Sequence, residues 1–176
     1  VAGNPYVRSR KESDEGIRAL NGPGFRAISV NAPFVLGAVE GLTVPMFAAY
    51  TQYAQGKMPA LPDFLPPGGV NFISTQSLSE AVEGALERGE GGKAYLVGDE
   101  NLSYQQYFGL FFEAVGRPVP PVVNQEHPLL PDSALFIGRG NNLFYEPDAE
   151  ETALLGYRRN DIRRAVNEIV QQNAGG

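Results

Sequence analysis

A chain that opens Asn4-Pro5-Tyr6-Val7-Arg8-Ser9-Arg10-Lys11-Glu12 is committed to begin as a helix. Asn4 is a good N-cap, because its side-chain oxygen can accept a free amide hydrogen of the first turn. Pro5 follows at the first helical position, where its missing N–H costs nothing. The helix is expected from Pro5 to about Leu20, with Ile17 and Leu20 packed inward and Glu12, Asp14 and Glu15 on a solvated face. Asn21-Gly22-Pro23-Gly24 stops it. Tyr6 and Arg10 lie about 40° apart on one face. A fixed cation beside a phenol stabilises the phenolate and can pull its pKa from about 10 towards working pH. A helix can present a tyrosine as a general acid or base in this way. From spacing alone, the simpler reading is a Tyr and an Arg on an ordinary surface helix.

Downstream, short strand and helix signals follow one another. Phe25 to Val30 reads as a strand and Val30 to Gly37 as a loop. Thr43 can cap a helix from Val44 to about Ala54. Met58 to Gly69 is a Pro- and Gly-rich connection, and Val70-Asn71-Phe72-Ile73 a short strand. Ser77 can cap a helix from Leu78 to Glu87, with Leu78, Val82 and Leu86 as a core-facing stripe. Ala94 to Val97 is a further strand. Ser103 to Gln106 is a capping box that opens a helix through Tyr107, Leu110, Phe111 and Val115, stopped by Gly116-Arg117-Pro118. Val119 to Asn142 is extended and irregular, as an arm or a substrate lid would be. Asp148 can cap a short helix ending at Gly156. Asn160 can cap a last one from Asp161 to about Gln172, with Ile162, Ala165 and Ile169 buried.

The 176 residues suffice for one unit, residues 1–176, with a real core. At net charge -6 the chain has no basic stripe for nucleic acid and is disfavoured at an anionic membrane surface. With no cysteine, disulfides and thiolate metal sites are excluded. No apolar run approaches a membrane span and no signal peptide is visible, so a cytoplasmic location is expected.

Several of these segments resemble, in order, the extended short-chain dehydrogenase/reductases, the NAD(P)-dependent epimerase/dehydratase group. Asn4 to Glu12 resembles the family's Tyr-x-x-x-Lys segment, in which the Tyr transfers a proton and the Lys tunes it and holds the nicotinamide ribose. The resemblance implies Tyr6 as the catalytic tyrosine and puts Arg10, with Lys11 beside it, at the lysine position. Arginine keeps the charge, but its planar fork is not a compact ammonium. Phe25 to Gly37 is similar to the strand leading into Arg-Pro-x-x-Val-Tyr-Gly. Val35 and Gly37 match, while Asn31 stands for Arg, Ala32 for Pro and Leu36 for Tyr. In the family this loop passes the nicotinamide, so Pro33, Phe34 and Val35 are implied to line a cofactor site.

Asn71 to Leu78 resembles Asp/Asn-Phe-Val-His-Val-x-Asp-Val, with Ser74 for His and Ser77 for Asp. Gly92 to Ser103, Gly116-Arg117-Pro118 and Leu154 to Arg158 follow the family pattern to its C-terminal end. The family's Gly-x-x-Gly-x-x-Gly phosphate loop has no counterpart, nor does the upstream catalytic Ser/Thr.

The resemblance implies an α/β chain: the C-terminal part of a Rossmann-like NAD(P)-binding fold with a small α/β substrate domain. The N-terminal dinucleotide-binding half is absent from it. Implied is an NAD(P)-dependent oxidoreductase or epimerase acting on a carbinol or carbonyl carbon of a small-molecule substrate: a sugar nucleotide, a steroid-like or another alcohol. NAD or NADP is the implied cofactor of the longer parent. The alternative is a non-catalytic nucleotide-binding or regulatory relative. Without its other half the chain is expected to show an unpaired sheet edge and an apolar face, and hence to self-associate or travel with that half. His127, in a Pro-rich loop, is expected to be exposed, and no His/Asp/Glu set has metal spacing. Gly138-Arg139-Gly140-Asn141-Asn142 reads as a loop that could turn around a phosphate.

Overall fold

The computed structural model describes residues 3–174. Helix α1 spans Pro5–Arg18, with the Tyr6 amide donating to the Asn4 side chain at 2.9 Å. Strands β1 (Ser29–Asn31) and β2 (Phe34–Leu36) follow, then α2 (Pro45–Ala54), β3 (Gly69–Ser74) and α3 (Thr75–Arg88). The chain continues through β4 (Ala94–Leu96), β5 (Glu100–Ser103), α4 (Tyr104–Ala114), β6 (Asn142–Leu143), α5 (Ala149–Leu155) and α6 (Ile162–Asn173).

Strands β1 and β4 form a two-stranded parallel sheet with Val30 opposite Tyr95. In the second sheet, β3 pairs antiparallel with β5. On its other edge β3 pairs parallel with β2 along residues 72–74 and with β6 along residues 69–70. Successive strand side chains point to opposite faces, and the two faces here meet two cores. Phe72 and Phe34 join a large aromatic cluster with Tyr50, Tyr107, Phe108 and Phe111 of α2 and α4 and Ile162 and Ile169 of α6. Ile73 and Val35 face a smaller cluster with Ala81 and Ala85 of α3, Tyr95 and Tyr157. Helix α3 approaches α5 so closely that a Cβ at Gly84 would lie 1.9 Å from the Leu155 carbonyl oxygen, so the position admits glycine only.

The capping box at Ser103 forms as expected, and Asp148 caps α5, which ends at Gly156 with φ 70°. Other boundaries move. Strand β1 begins four residues later than the Phe25 start expected, and the presumed loop after it contains β2, because β3 supplies a partner that local sequence does not reveal. Helix α2 has Val44, not Thr43, at its N-cap. Helix α3 starts at Thr75, because the Ser74 hydroxyl, not Ser77, accepts the amide of Ser77. Asn160 does not cap α6; its backbone takes φ 61° and Asp161 holds the cap position. The Val119 to Asn142 stretch is no free arm, since Leu130 and Leu135 are buried in the large cluster.

Two expected core faces are open. Leu86 is 69% exposed and Val82 is also exposed, while α3 buries the alternate face of Ser77, Ala81, Gly84 and Ala85. Ile17 and Leu20 are exposed too, and no side chain of α1 is buried. With Phe25 and Ile28 these residues line one apolar groove. Strand β1 runs beside it and, among the described residues, pairs with β4 alone.

His127 is fully buried rather than exposed, packed against the rings of Tyr53 and Phe64. Its Nδ1 accepts from the Leu129 amide at 3.1 Å, which fixes it as the acceptor nitrogen. Burial pushes the imidazole below its usual 6.5, while the nearby Pro62 carbonyl opposes the shift. The unfolded chain therefore binds the proton more readily. Stability is full above about 6.5 and is lost as pH falls from there through the depressed folded value. In urea titrations at pH 7 and pH 5, wild type should lose stability at the lower pH. His127→Asn, which keeps an acceptor but cannot be protonated, should lower stability at both values and flatten the difference between them.

Candidate active site

Tyr6 sits in the first turn of α1, and its position follows from local chemistry. Asn4 holds its amide, and the Ser9 hydroxyl donates to its carbonyl at 2.8 Å. The ring is 51% exposed. The Arg10 guanidinium carbon lies 5.4 Å from the ring centroid, so the helix brings phenol and cation together on one side as the four-residue spacing requires. On the ring lies Phe136, from the irregular stretch far along the chain, at 4.9 Å between centroids and 4° between planes.

Arg10 is free to face Tyr6 because its neighbours are otherwise engaged. Arg8 lies 3.8 Å from Glu12 and Lys11 3.7 Å from Glu15. The carboxylate one turn beyond Arg10 is Asp14, which would compete for it. Asp14 is instead taken by Arg18 through Nε at 3.0 Å and Nη2 at 2.6 Å, and by the Asn31 side-chain amide at 3.0 Å. The Arg18 bond, followed by that of Asn31, holds the Asp14 carboxyl below its usual range. Among the described residues Arg10 has no carboxylate partner. Asn31, which stands where the resembled family has Arg, thus helps to leave the cation over Tyr6.

The three implied cofactor residues lie on and just before β2 rather than in a loop. Phe34 is half-buried, 5.4 Å from the Phe72 ring and 5.9 Å from that of Tyr107. Val35 turns to the other face and packs on the smaller cluster. Pro33 is half-buried. Among the described residues, no hydrogen bond or ring contact joins these three to Tyr6 or Arg10. The matching glycine, Gly37, has a steric reason: a Cβ there would sit 2.1 Å from the Thr75 hydroxyl at the start of α3.

The Ser substitutions also find a role. The Ser74 hydroxyl meets Asp161, and the Ser77 hydroxyl lies 3.0 Å from Ser74, so both belong to a buried structural network. Asn71 is likewise structural: its side chain donates to Asn101 and Tyr145 and accepts from the Asp99 amide. In the Gly138 to Asn142 turn, Arg139 is engaged by Asp132 at 3.0 Å through each of two nitrogens. Sequence reasoning missed Phe136. Its one signal is an aromatic residue without periodic partners in a Pro- and Gly-rich stretch. Among the described residues no group of three or more acidic or histidine side chains could hold a metal ion, and no helix is long and apolar enough to cross a membrane.

No protein-family model matches the chain, and no curated protein matches it. Its architecture does match solved structures. The fold is that of the NAD(P)-dependent epimerases and dehydratases, a Rossmann-like α/β class. One is UDP-glucose 4-epimerase from Bifidobacterium longum in complex with NAD+ and UDP, at TM-score 0.72 and 14% identity, covering 98% of this chain and 55% of that one. A second is RMD from Pseudomonas aeruginosa complexed with NADPH, at TM-score 0.70 and 16% identity, covering 98% and 56%. A third is dTDP-glucose 4,6-dehydratase from Bacillus anthracis in complex with NAD, at TM-score 0.66 and 13% identity, covering 99% and 53%. The chain spans about half the length of each, as a C-terminal half would.

The Arg18 clamp can be tested directly. Arg18→Met should let Asp14 swing to Arg10 and draw the guanidinium off Tyr6. The Asp14 carboxyl, followed by carbon-detected NMR titration, should then change from its Arg18-held value, and the side-chain shifts of Tyr6 and Arg10 should move with it. Unmoved Tyr6 and Arg10 shifts would show that Asp14 does not compete for Arg10.

Proposed function

We propose that this chain supplies the proton-transfer and substrate-binding portion of an NAD(P)-dependent oxidoreductase or epimerase, with Tyr6 as the acid/base and Arg10 as the cation that assists it. The observation that carries this is the Arg10 guanidinium, unclaimed by any carboxylate among the described residues, set against a half-exposed tyrosine in the first turn of a helix. The fold is one whose solved examples hold NADPH or NAD. A phenolic hydroxyl and a guanidinium that no described residue engages by hydrogen bond or ion pair suit the hydroxyl-rich ribose at the nicotinamide end of such a cofactor. Bound there, the cofactor would give or accept a hydride. Tyr6 would hand a proton to, or take one from, the substrate oxygen, with the Arg10 guanidinium beside its ring.

The substrate class best supported is an alcohol or carbonyl borne on a sugar nucleotide, by analogy with the epimerase that holds UDP. A steroid-like or other alcohol is the alternative substrate class. Arg10 in place of lysine favours a second reading, a nucleotide-binding relative without turnover, because a planar fork presents its donors differently from an ammonium. Binding of the dinucleotide rests mainly on a glycine turn and helix N-terminus cradling the pyrophosphate, for which these residues offer no counterpart. In a longer polypeptide that also carries a dinucleotide-binding half, Tyr6→Phe should abolish turnover while leaving NAD(P) affinity nearly intact. Unchanged turnover would refute the assignment. The chain by itself should show no saturable NAD or NADP binding tighter than about 100 μM in calorimetry.

The groove lined by Ile17, Leu20, Phe25, Val82 and Leu86, together with the edge of β1 that no described strand pairs, suits a further strand and helix. We assign this face to the dinucleotide-binding half, or to a second copy when that half is missing. Sedimentation of the purified chain should show self-association at micromolar concentration. Leu20→Ser combined with Leu86→Ser should reduce it while preserving the helical circular dichroism. A wild-type chain that stays monomeric would count against the assignment.

A further inference from the structure

We propose that Phe136 is the positioning residue of the Tyr6 site: a ring delivered from a segment distant in the chain that fixes the plane of the tyrosine and covers one of its faces. This rests on the reading of Tyr6 as the reacting phenol.

The need for such a residue lies in α1 itself. The helix buries no side chain, and its anchors, Asp14 and Arg18, lie two turns or more beyond Tyr6. A first turn held only by its cap frays readily. The stack with Phe136 is the ring contact that ties this turn to the remainder of the described chain.

Phe136 is not itself a loose ring. Its neighbour Leu135 is buried in the large cluster, as is Leu130 at the start of the loop. The Asp132 amide donates to Glu126 at 3.0 Å, and Arg139 grips Asp132 through both nitrogens at 3.0 Å. The Gly140 amide donates to the Pro67 carbonyl, and the Asn141 side chain to that of Ile137 at 2.7 Å. Leu135 therefore turns inward and Phe136 outward, 47% exposed, with Tyr6 as its one ring partner among the described residues. A ring held from both sides of its loop is a rigid platform, whereas a tyrosine on an unpacked turn is not. Near-parallel rings at this separation attract through dispersion and offset quadrupoles. Orientation of a proton-transfer group within a narrow angular range is what such a contact secures.

The consequence for substrate is a matter of shape. With Phe136 stacked on the Tyr6 ring and the Arg10 guanidinium also over it, the substrate oxygen meets the phenol at its hydroxyl edge. A substrate with a flat or apolar ring flank would find Phe136 as its wall.

The chain itself provides the assay, because the other seven tyrosines are protected. Tyr50, Tyr53, Tyr95, Tyr104, Tyr107 and Tyr157 are buried, and Tyr145 is half-buried with its hydroxyl donating to Val97 at 2.7 Å. Burial also pushes the phenols of Tyr50 and Tyr53 up to about 12. Tetranitromethane at mildly alkaline pH should therefore modify Tyr6 first, and Tyr6→Phe identifies its product and its NMR ring signals. In wild type the Tyr6 ring protons should carry an upfield ring-current shift. Phe136→Leu should remove that shift and speed nitration of Tyr6 by about three-fold or more, with the thermal midpoint little changed. Phe136→Trp should restore both.

If leucine leaves shift and nitration rate at their wild-type values, Phe136 does not position Tyr6 and the proposal falls. It falls equally if the tryptophan variant behaves like the leucine one, since the contact would then not depend on an aromatic platform. Neither measurement needs turnover. A failure here is thus distinct from a failure of the catalytic reading, which Tyr6→Phe turnover decides.

Discussion

The N-terminus of α6 is held by carboxylates from another part of the chain, and the arrangement of both cores depends on that hold. Asp99, only 3% exposed, accepts the amides of Asn160 and Asp161, and Glu100 accepts that of Ile162 at 3.2 Å. A helix begins with amides that have no partner inside it and with the positive end of its dipole, so anionic oxygens are well placed there. Burial raises the Asp99 carboxyl above its usual range, and the Asp161 and Asn160 amides oppose that shift. Asp161 in turn is held by Arg164 and by the Ser74 hydroxyl, and the Arg164 bond is the larger cause of its lowered pKa. One polar knot thus joins the end of β3, the turn between β4 and β5, and the start of α6. Removing one member would strand a buried charge, which costs far more than an exposed ion pair contributes.

From that knot α6 runs into the aromatic cluster, and the β2–β3 pair separates this cluster from the smaller one. The large cluster is enclosed by α2, α4 and α6, whereas the smaller one adjoins β1 and the open groove beside α1. Helix α1 lies on that open side, with its apolar residues uncovered and its first turn stacked on a ring 130 residues further along the chain.

Much of the chain was legible locally. Asn4-Pro5 opens α1 as read, the Ser103 box opens α4, Asp148 and Gly156 bracket α5, and Ile162, Ala165 and Ile169 face inward on α6. Each of these rests on contacts within a few residues, which sequence encodes directly. The failures share a physical cause as well. Strands β2, β5 and β6 are too short to show alternation and exist because β3 pairs with them. The stripe of Leu78, Val82 and Leu86 has the period of a core face, but periodicity reports which side of a helix is apolar and not whether anything covers it. His127 is buried because the irregular stretch folds back onto α2, a long-range event that its flanking prolines do not disclose.

The candidate site divides along the same line. Sequence by itself determined that Tyr6 and Arg10 share one helix face, since a turn of helix fixes that geometry whatever surrounds it. Tertiary structure alone decided that Asp14 is drawn away by Arg18 and Asn31, and that Phe136 lies on Tyr6. It also decided that Phe34 and Val35 turn to two different cores. The first is a consequence of helical pitch, and pitch is local. The others depend on which distant segments the chain brings into contact, and that is settled by burying apolar surface and satisfying polar groups over the whole fold.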